Sequence, residues 1–274
     1  MTIVAFARPA GRRDWQAILT RAAAIVDSYS TGVTLRQLFY RLVSEGLIPN
    51  RQSVYIQLSR LSAEARRAGW FPTLIEAGRS IHRYQTWADP EDARNWLRNA
   101  YRIDRSRTQP TQVWLGVEKA GLVEVLLQAF GDLGLPIIAL SGYSSQTYVD
   151  DIVGEVTDDG RPAMLVYAGD FDPSGTDILD DFISRTGCWA DVDHIGLTHD
   201  QVLDRNLPVM PGKASDPRAG TFVSQYGSLM QVELDALPPD DLTGLYQQAI
   251  DKHWDTSAYD AALAQEQADL DELE

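Results

Sequence analysis

An apolar run, Ala163-Met-Leu-Val-Tyr-Ala168, stops at Gly169 and is followed at once by Asp170-Phe-Asp-Pro-Ser-Gly175. A run this short, with punctuation this abrupt, reads as a buried strand that turns into a helix. Alternate residues of extended backbone point the same way, so Asp170 and Asp172 can both project from the strand end toward one point. Pro173 suits the first helical position, where its missing N–H costs nothing, and Gly175 lets the turn pack tightly. Two hard oxygen ligands at a strand's C-terminal end are what a Mg²⁺ site needs. The plainer alternative is a strand-to-helix turn whose acids simply favour the positive end of the helix.

The surrounding chain supplies the sheet. Residues 112–117 and 135–140 read as strands, with another around residues 194–197. Helical patterns over residues 121–130, 146–155 and 174–185 separate them. Strands alternating with helices imply a parallel sheet covered on both faces. From residue 237 onward the chain is mainly helical and ends acidic.

Before residue 105 the rhythm differs. Residues 13–29 read as an amphipathic helix, and Thr34 caps a second one running to about residue 45. Its apolar stripe is Leu35, Leu38, Phe39, Leu42 and Val43. Asn50 caps a third helix over residues 51–68, with Val54, Leu58, Leu61 and Ala65 inward. Residues 72–85 look extended and hairpin-like, turning at Ala77-Gly78. Three helices and a β wing make the winged-helix variant of helix-turn-helix, whose third helix enters a DNA groove. A helix over residues 89–103 and a polar linker over 105–111 complete this half. The boundaries expected are a winged-helix domain over 1–104 and an α/β domain over 112–274.

The formal net charge of −15 argues against nucleic acid, but its distribution argues the other way. Residues 1–110 hold 17 Arg, no Lys and 9 acidic residues, a balance of +8, which leaves −23 for the remainder. Arginine favours bidentate phosphate contact over a point charge. An acidic surface that merely aids solubility explains the same asymmetry. Lone Cys188 and four scattered histidines give no zinc spacing and no internal disulfide. No apolar run approaches a membrane span, and the N-terminus lacks the pattern of a secretory signal, so a cytoplasmic, nucleoid-associated location is expected.

Two further positions join the Asp-x-Asp turn. Glu118 stands where the strand over residues 112–117 runs out, and ligands of doubly wound sheets gather at carboxyl ends of strands. If the two strands are neighbours, Glu118, Asp170 and Asp172 converge, and their mutual repulsion calls for a divalent cation. One carboxylate is then free to act as general acid or base. The second position is Tyr40, placed four residues after Arg36 and beside the apolar stripe of its helix. A phenol must lose a proton near its ordinary pKa of about 10 to attack a phosphodiester, and an adjacent arginine or metal eases that loss. A tyrosine half-packed under the wing is the competing reading.

Arg36-Gln-Leu-Phe-Tyr40 in a winged helix, then Val117-Glu-Lys119, then Asp170-Phe-Asp-Pro-Ser-Gly175, resembles the A subunit of topoisomerase VI and the meiotic double-strand-break protein that shares its architecture. Ser141-Gly-Tyr-Ser144 resembles the Gly-Tyr segment after the family's second Toprim strand. The resemblance spans most of residues 30–200 and implies a Toprim sheet with a helical C-terminal extension. It implies a DNA topoisomerase-like transesterase of the type IIB kind: Tyr40 attacks double-stranded DNA and leaves a 5′-phosphotyrosyl link with a free 3′-OH. Asp170 and Asp172 hold Mg²⁺, with Glu118 as ligand or acid–base group. Arg36 and Arg41 hold the scissile phosphate. Arg51, Gln52 and Tyr55 open the recognition helix, and Arg79 touches DNA backbone from the wing. In the family the site forms across a homodimer, with the tyrosine from one chain and the metal from the other.

The chain is shorter than the usual A subunit and resembles a minimal form. It carries no Walker motif and nothing resembling the ATPase of the family's B subunit, so strand passage requires a separate ATPase partner. Two other readings stay open. One is a Toprim nuclease that hydrolyses DNA with metal-activated water, Tyr40 being structural. The other is a non-catalytic DNA-binding module.

Overall fold

A computed structural model of the chain describes residues 14–29, 32–75, 84–205, 207–212 and 215–273. Four helices come first: α1 (Trp15–Asp27), α2 (Leu35–Ser44), α3 (Gln52–Arg67) and α4 (Pro90–Ala100). The α/β half follows with β1 (Gln112–Val117), α5 (Val123–Phe130), β2 (Ile137–Ala139), α6 (Gln146–Asp159), β3 (Ala163–Ala168), α7 (Pro173–Thr186) and β4 (Asp191–Gly196). Then come α8 (His199–Asp204), β5 (Met210–Pro211), α9 (Ala219–Tyr226), β6 (Met230–Gln231), α10 (Pro239–Asp251) and α11 (Thr256–Glu272).

The sheet has the order β2-β1-β3-β4, and every pair is parallel. β1 and β3 are buried along their whole lengths, as strands covered on both faces must be. Their side chains divide by alternation. Val113, Leu115, Val117, Val166 and Ala168 join a core with α1–α3, α5 and α10, whereas Trp114, Leu165 and Tyr167 pack with α6 and α7. The helical front half therefore shares one continuous core with a face of the sheet. Residues 105–111 are tied down as well. Arg105 pairs with Glu266 at 2.6 Å, and Gln109 exchanges hydrogen bonds with the Asp255 backbone at 2.9 and 2.7 Å.

Local chemistry sets the helix starts. Thr34 and Gln37 form a reciprocal capping box at α2, and Asp172 caps α7 with Pro173 as its first residue. At α3 the expectation fails: the cap position is Arg51, not Asn50, and no side chain caps it. Ser62 joins the buried stripe of α3, and Leu61, half-buried, packs against the same core. The expected wing lies largely outside the described residues, including Ala77, Gly78 and Arg79. What precedes it is a single parallel bridge, Thr34 with Ile75, closed by the Ile75 N–H donating to the Val33 carbonyl at 2.9 Å. Among the described residues no helix is long and apolar enough to cross a membrane.

Candidate functional site

The register of β1 on β3 places Val117 opposite Ala168, so Glu118 and Gly169 leave the sheet side by side. The Asp170 N–H donates to Glu118 Oε2 at 2.7 Å. Two glycines make this approach possible. A Cβ on Gly169 would stand 3.0 Å from Glu118 Oε2, and one on Gly175 would run into the Asp170 carbonyl oxygen. The adjacency of these strands is the condition under which the acids meet, and it holds.

The three acids are not equivalent. Asp172 Oδ1 accepts from the Ser174 and Gly175 N–H groups, both at 2.8 Å, and so serves the start of α7. Asp170 Oδ1 accepts from the Leu234 N–H at 2.7 Å, and its Oδ2 meets Lys119 Nζ at 2.7 Å. Burial, then the charges of Asp170 and Asp172, push Glu118 up to about 7. Burial also raises Asp170, against the pull of Lys119.

A segment that sequence reasoning missed closes the site. Phe171 pairs antiparallel with Val232, which lays residues 232–235 along the Asp-x-Asp turn. Val232 and Leu234 are buried there, and the short 3-10 turn Leu234–Ala236 that follows carries Asp235, beside the equally buried Glu233, to the charged residues. Glu233 Oε2 accepts from Arg36 Nη2 and from Lys119 Nζ, the latter at 3.1 Å. Asp235 Oδ2 lies 3.4 Å from Arg36 Nε, and burial lifts this carboxyl to about 6. The signal was in the sequence: two acids spaced by two, inside Val232-Glu-Leu-Asp-Ala-Leu237, where an exposed segment would have no reason to be so apolar.

Tyr40 departs from expectation. It lies in the core at 5% exposure rather than beside the stripe, because the turn at Leu234–Ala236 covers that side of α2. Its phenol faces Glu233 and Arg36. Burial and then the Glu233 charge hold it above its ordinary value, with Arg36 opposing. A cavity of about 650 Å³ opens between the halves, lined by Arg36, Tyr55, Glu118, Lys119 and Asp235 among others. Tyr40 is not part of its lining. Arg41 pairs with Glu45 at 3.3 Å, and Arg51 and Gln52 are exposed at the start of α3. These three are not drawn into the cavity, and Arg79 lies outside the described residues.

Residues 96–190 match the family described as Protein of unknown function C-terminus (DUF2399). The matched segment carries β1, β3 and all three acids of the strand ends, but neither Tyr40 nor Glu233. No curated protein matches the chain.

Side chains alone do not gather three or more His, Cys, Asp or Glu residues into a metal-holding group among the described residues. Mg²⁺, however, takes one or two carboxylates from protein and fills its shell with water and phosphate oxygens. Glu118 and Asp170, joined by a backbone hydrogen bond and both held above the ordinary carboxylate range, fit that donor set. Asp172 keeps a second oxygen for the same purpose, since its contacts to the α7 backbone use Oδ1.

Proposed function

We propose that this protein cleaves double-stranded DNA as a topoisomerase VI A-like transesterase, with Tyr40 as nucleophile and Mg²⁺ held by Glu118, Asp170 and Asp172. One observation carries the reading. The contacts Arg36–Glu233–Lys119–Asp170 run unbroken from the tyrosine helix to the strand-end acids. The parallel order β2-β1-β3-β4, with Glu after β1 and Asp-x-Asp after β3, supports a Toprim-type sheet. Helices α1–α3 ahead of it support the helical part of a winged-helix domain.

In this reaction the Tyr40 oxygen bonds to phosphorus, the P–O3′ bond breaks, the phenol gives up its proton and the 3′-oxygen gains one. Glu118, at about 7, is suited to give or take a proton near neutrality. Arg36 directs its guanidinium at the phosphate, and the cavity bordered by Arg36, Lys119 and Glu118 receives the strand. Mg²⁺ would stabilise the charge that develops on the phosphoryl oxygens. A second copy of the chain and a separate ATPase subunit are the partners this reading requires. In the family the tyrosine serves the partner's acids; in this chain the Tyr40 phenol faces Glu233 and Arg36, neither of them a strand-end acid.

A hydrolytic nuclease is the second reading, favoured by the burial of Tyr40 and its absence from the cavity lining. Incubation of supercoiled DNA with Mg²⁺ tests what the two share: wild-type protein nicks or linearises it, and Asp170→Ala does not. Intact DNA under all divalent-cation conditions, with a partner ATPase supplied or not, counts against both.

A further inference from the structure

Two cations from different halves of the molecule meet on one oxygen atom. Arg36 Nη2, from α2, and Lys119 Nζ, from the end of β1, both donate to Glu233 Oε2. Glu233 is 8% exposed, yet both cations border the open cavity. An ammonium has three donors and a guanidinium five. Lys119 spends two donors here, on Asp170 and Glu233, and Arg36 directs only Nη2 and Nε at acids. Convergence of this kind on a single anionic oxygen is how a phosphate oxygen is held.

We propose that Arg36 and Lys119 form a subsite for a phosphodiester phosphate, and that the Glu233 carboxylate is its occupant while no nucleic acid is bound. The inference rests on the DNA-cleaving reading, and it adds Lys119 as a substrate-binding residue and Glu233 as an internal competitor. Electrostatics supply the reason for competition. Glu118, Asp170, Asp172, Glu233 and Asp235 set five carboxylates against two cations, so a phosphate arriving at Arg36 and Lys119 meets one negative charge fewer, and two freed donors, when Glu233 yields its place.

The test is binding of a labelled duplex of about 20 base pairs in EDTA, where no metal-dependent cleavage occurs. Glu233→Gln keeps the shape and removes the charge, and it binds about threefold tighter or better. Lys119→Gln binds more weakly, and the slope of log affinity against log salt falls by about one. In the Lys119→Gln background the gain from Glu233→Gln disappears, and Lys119→Arg restores much of the binding. Melting temperature and circular dichroism establish that each variant is folded. Unchanged or weaker binding by a folded Glu233→Gln protein overturns the proposal, as does a gain that persists without Lys119. If Glu233→Gln does not fold, Lys119→Gln decides alone, and unaltered affinity and salt slope overturn the subsite. Because no cleavage is measured, the subsite can stand while the transesterase fails, or fall while phosphotyrosyl adducts form.

Discussion

The Asp170 backbone N–H donates to Glu118 Oε2 at 2.7 Å, linking the ends of two neighbouring parallel strands through one carboxylate. The bond fixes where Glu118 points before any ligand arrives. Glu118 itself lines the cavity. The candidate site is thus positioned by backbone on one side and by the Arg36–Glu233–Lys119 ion pairs on the other.

Gly175→Ala should damage the site through geometry alone. The new methyl would overlap the Asp170 carbonyl oxygen and approach Glu118 Oε2 to 3.1 Å, and neither backbone nor paired carboxylate can step aside cheaply. A loss of roughly 1–3 kcal/mol in chemical denaturation is expected, the range for overpacking. Gly154→Ala, a helical glycine with open space around it, serves as control and should be neutral or slightly stabilising.

Asp235 gives a pH signature. Its carboxyl is raised to about 6 by burial, so between about 4 and 6 the folded protein binds more protons than the unfolded chain. Stability from this group is therefore full at low pH and declines as pH rises through that window. Asp235→Asn removes the decline. The variant's stability relative to wild type should rise by roughly 1–3 kcal/mol from pH 4 to pH 7, as read from melting curves at stepped pH. A difference independent of pH would show that Asp235 is not held neutral by its surroundings.

Tyr40→Phe should fold normally. The ring keeps its edge contact with Phe39, and Glu233 keeps both of its cations when the phenol hydroxyl is removed. A change within about 1 kcal/mol is expected in urea denaturation. A much larger loss would mean that the hydroxyl is a structural keystone, and the variant could not then report on chemistry.

How much of this was legible in the sequence depended on where the information was stored. The strands at 112–117 and 163–168 were readable because parallel strands buried on both faces leave continuous apolar runs bounded by turn residues. Thr34 was readable as a cap because the capping chemistry is local. Glu118 and Asp170 were findable from strand ends, since their meeting required only that β1 and β3 be neighbours. Glu233 was not found because it is distant in sequence and reaches the site through the pairing of Phe171 with Val232. The burial of Tyr40 was missed for the same reason. Helical periodicity identifies one buried face of α2, but not a second face covered by a turn almost two hundred residues later. The capping prediction at Asn50 failed because the chain enters α3 one residue later, with Arg51 in the cap position.

Covalent capture tests the central claim most directly. End-labelled supercoiled DNA is incubated with the protein and Mg²⁺, denatured in detergent, and run with and without protease. The expected result is a labelled protein–DNA adduct that protease removes and that neither Tyr40→Phe nor Asp170→Ala forms. Cut DNA with free 5′ ends, made equally well by Tyr40→Phe and lost only in Asp170→Ala, would contradict it and assign the cleavage to hydrolysis.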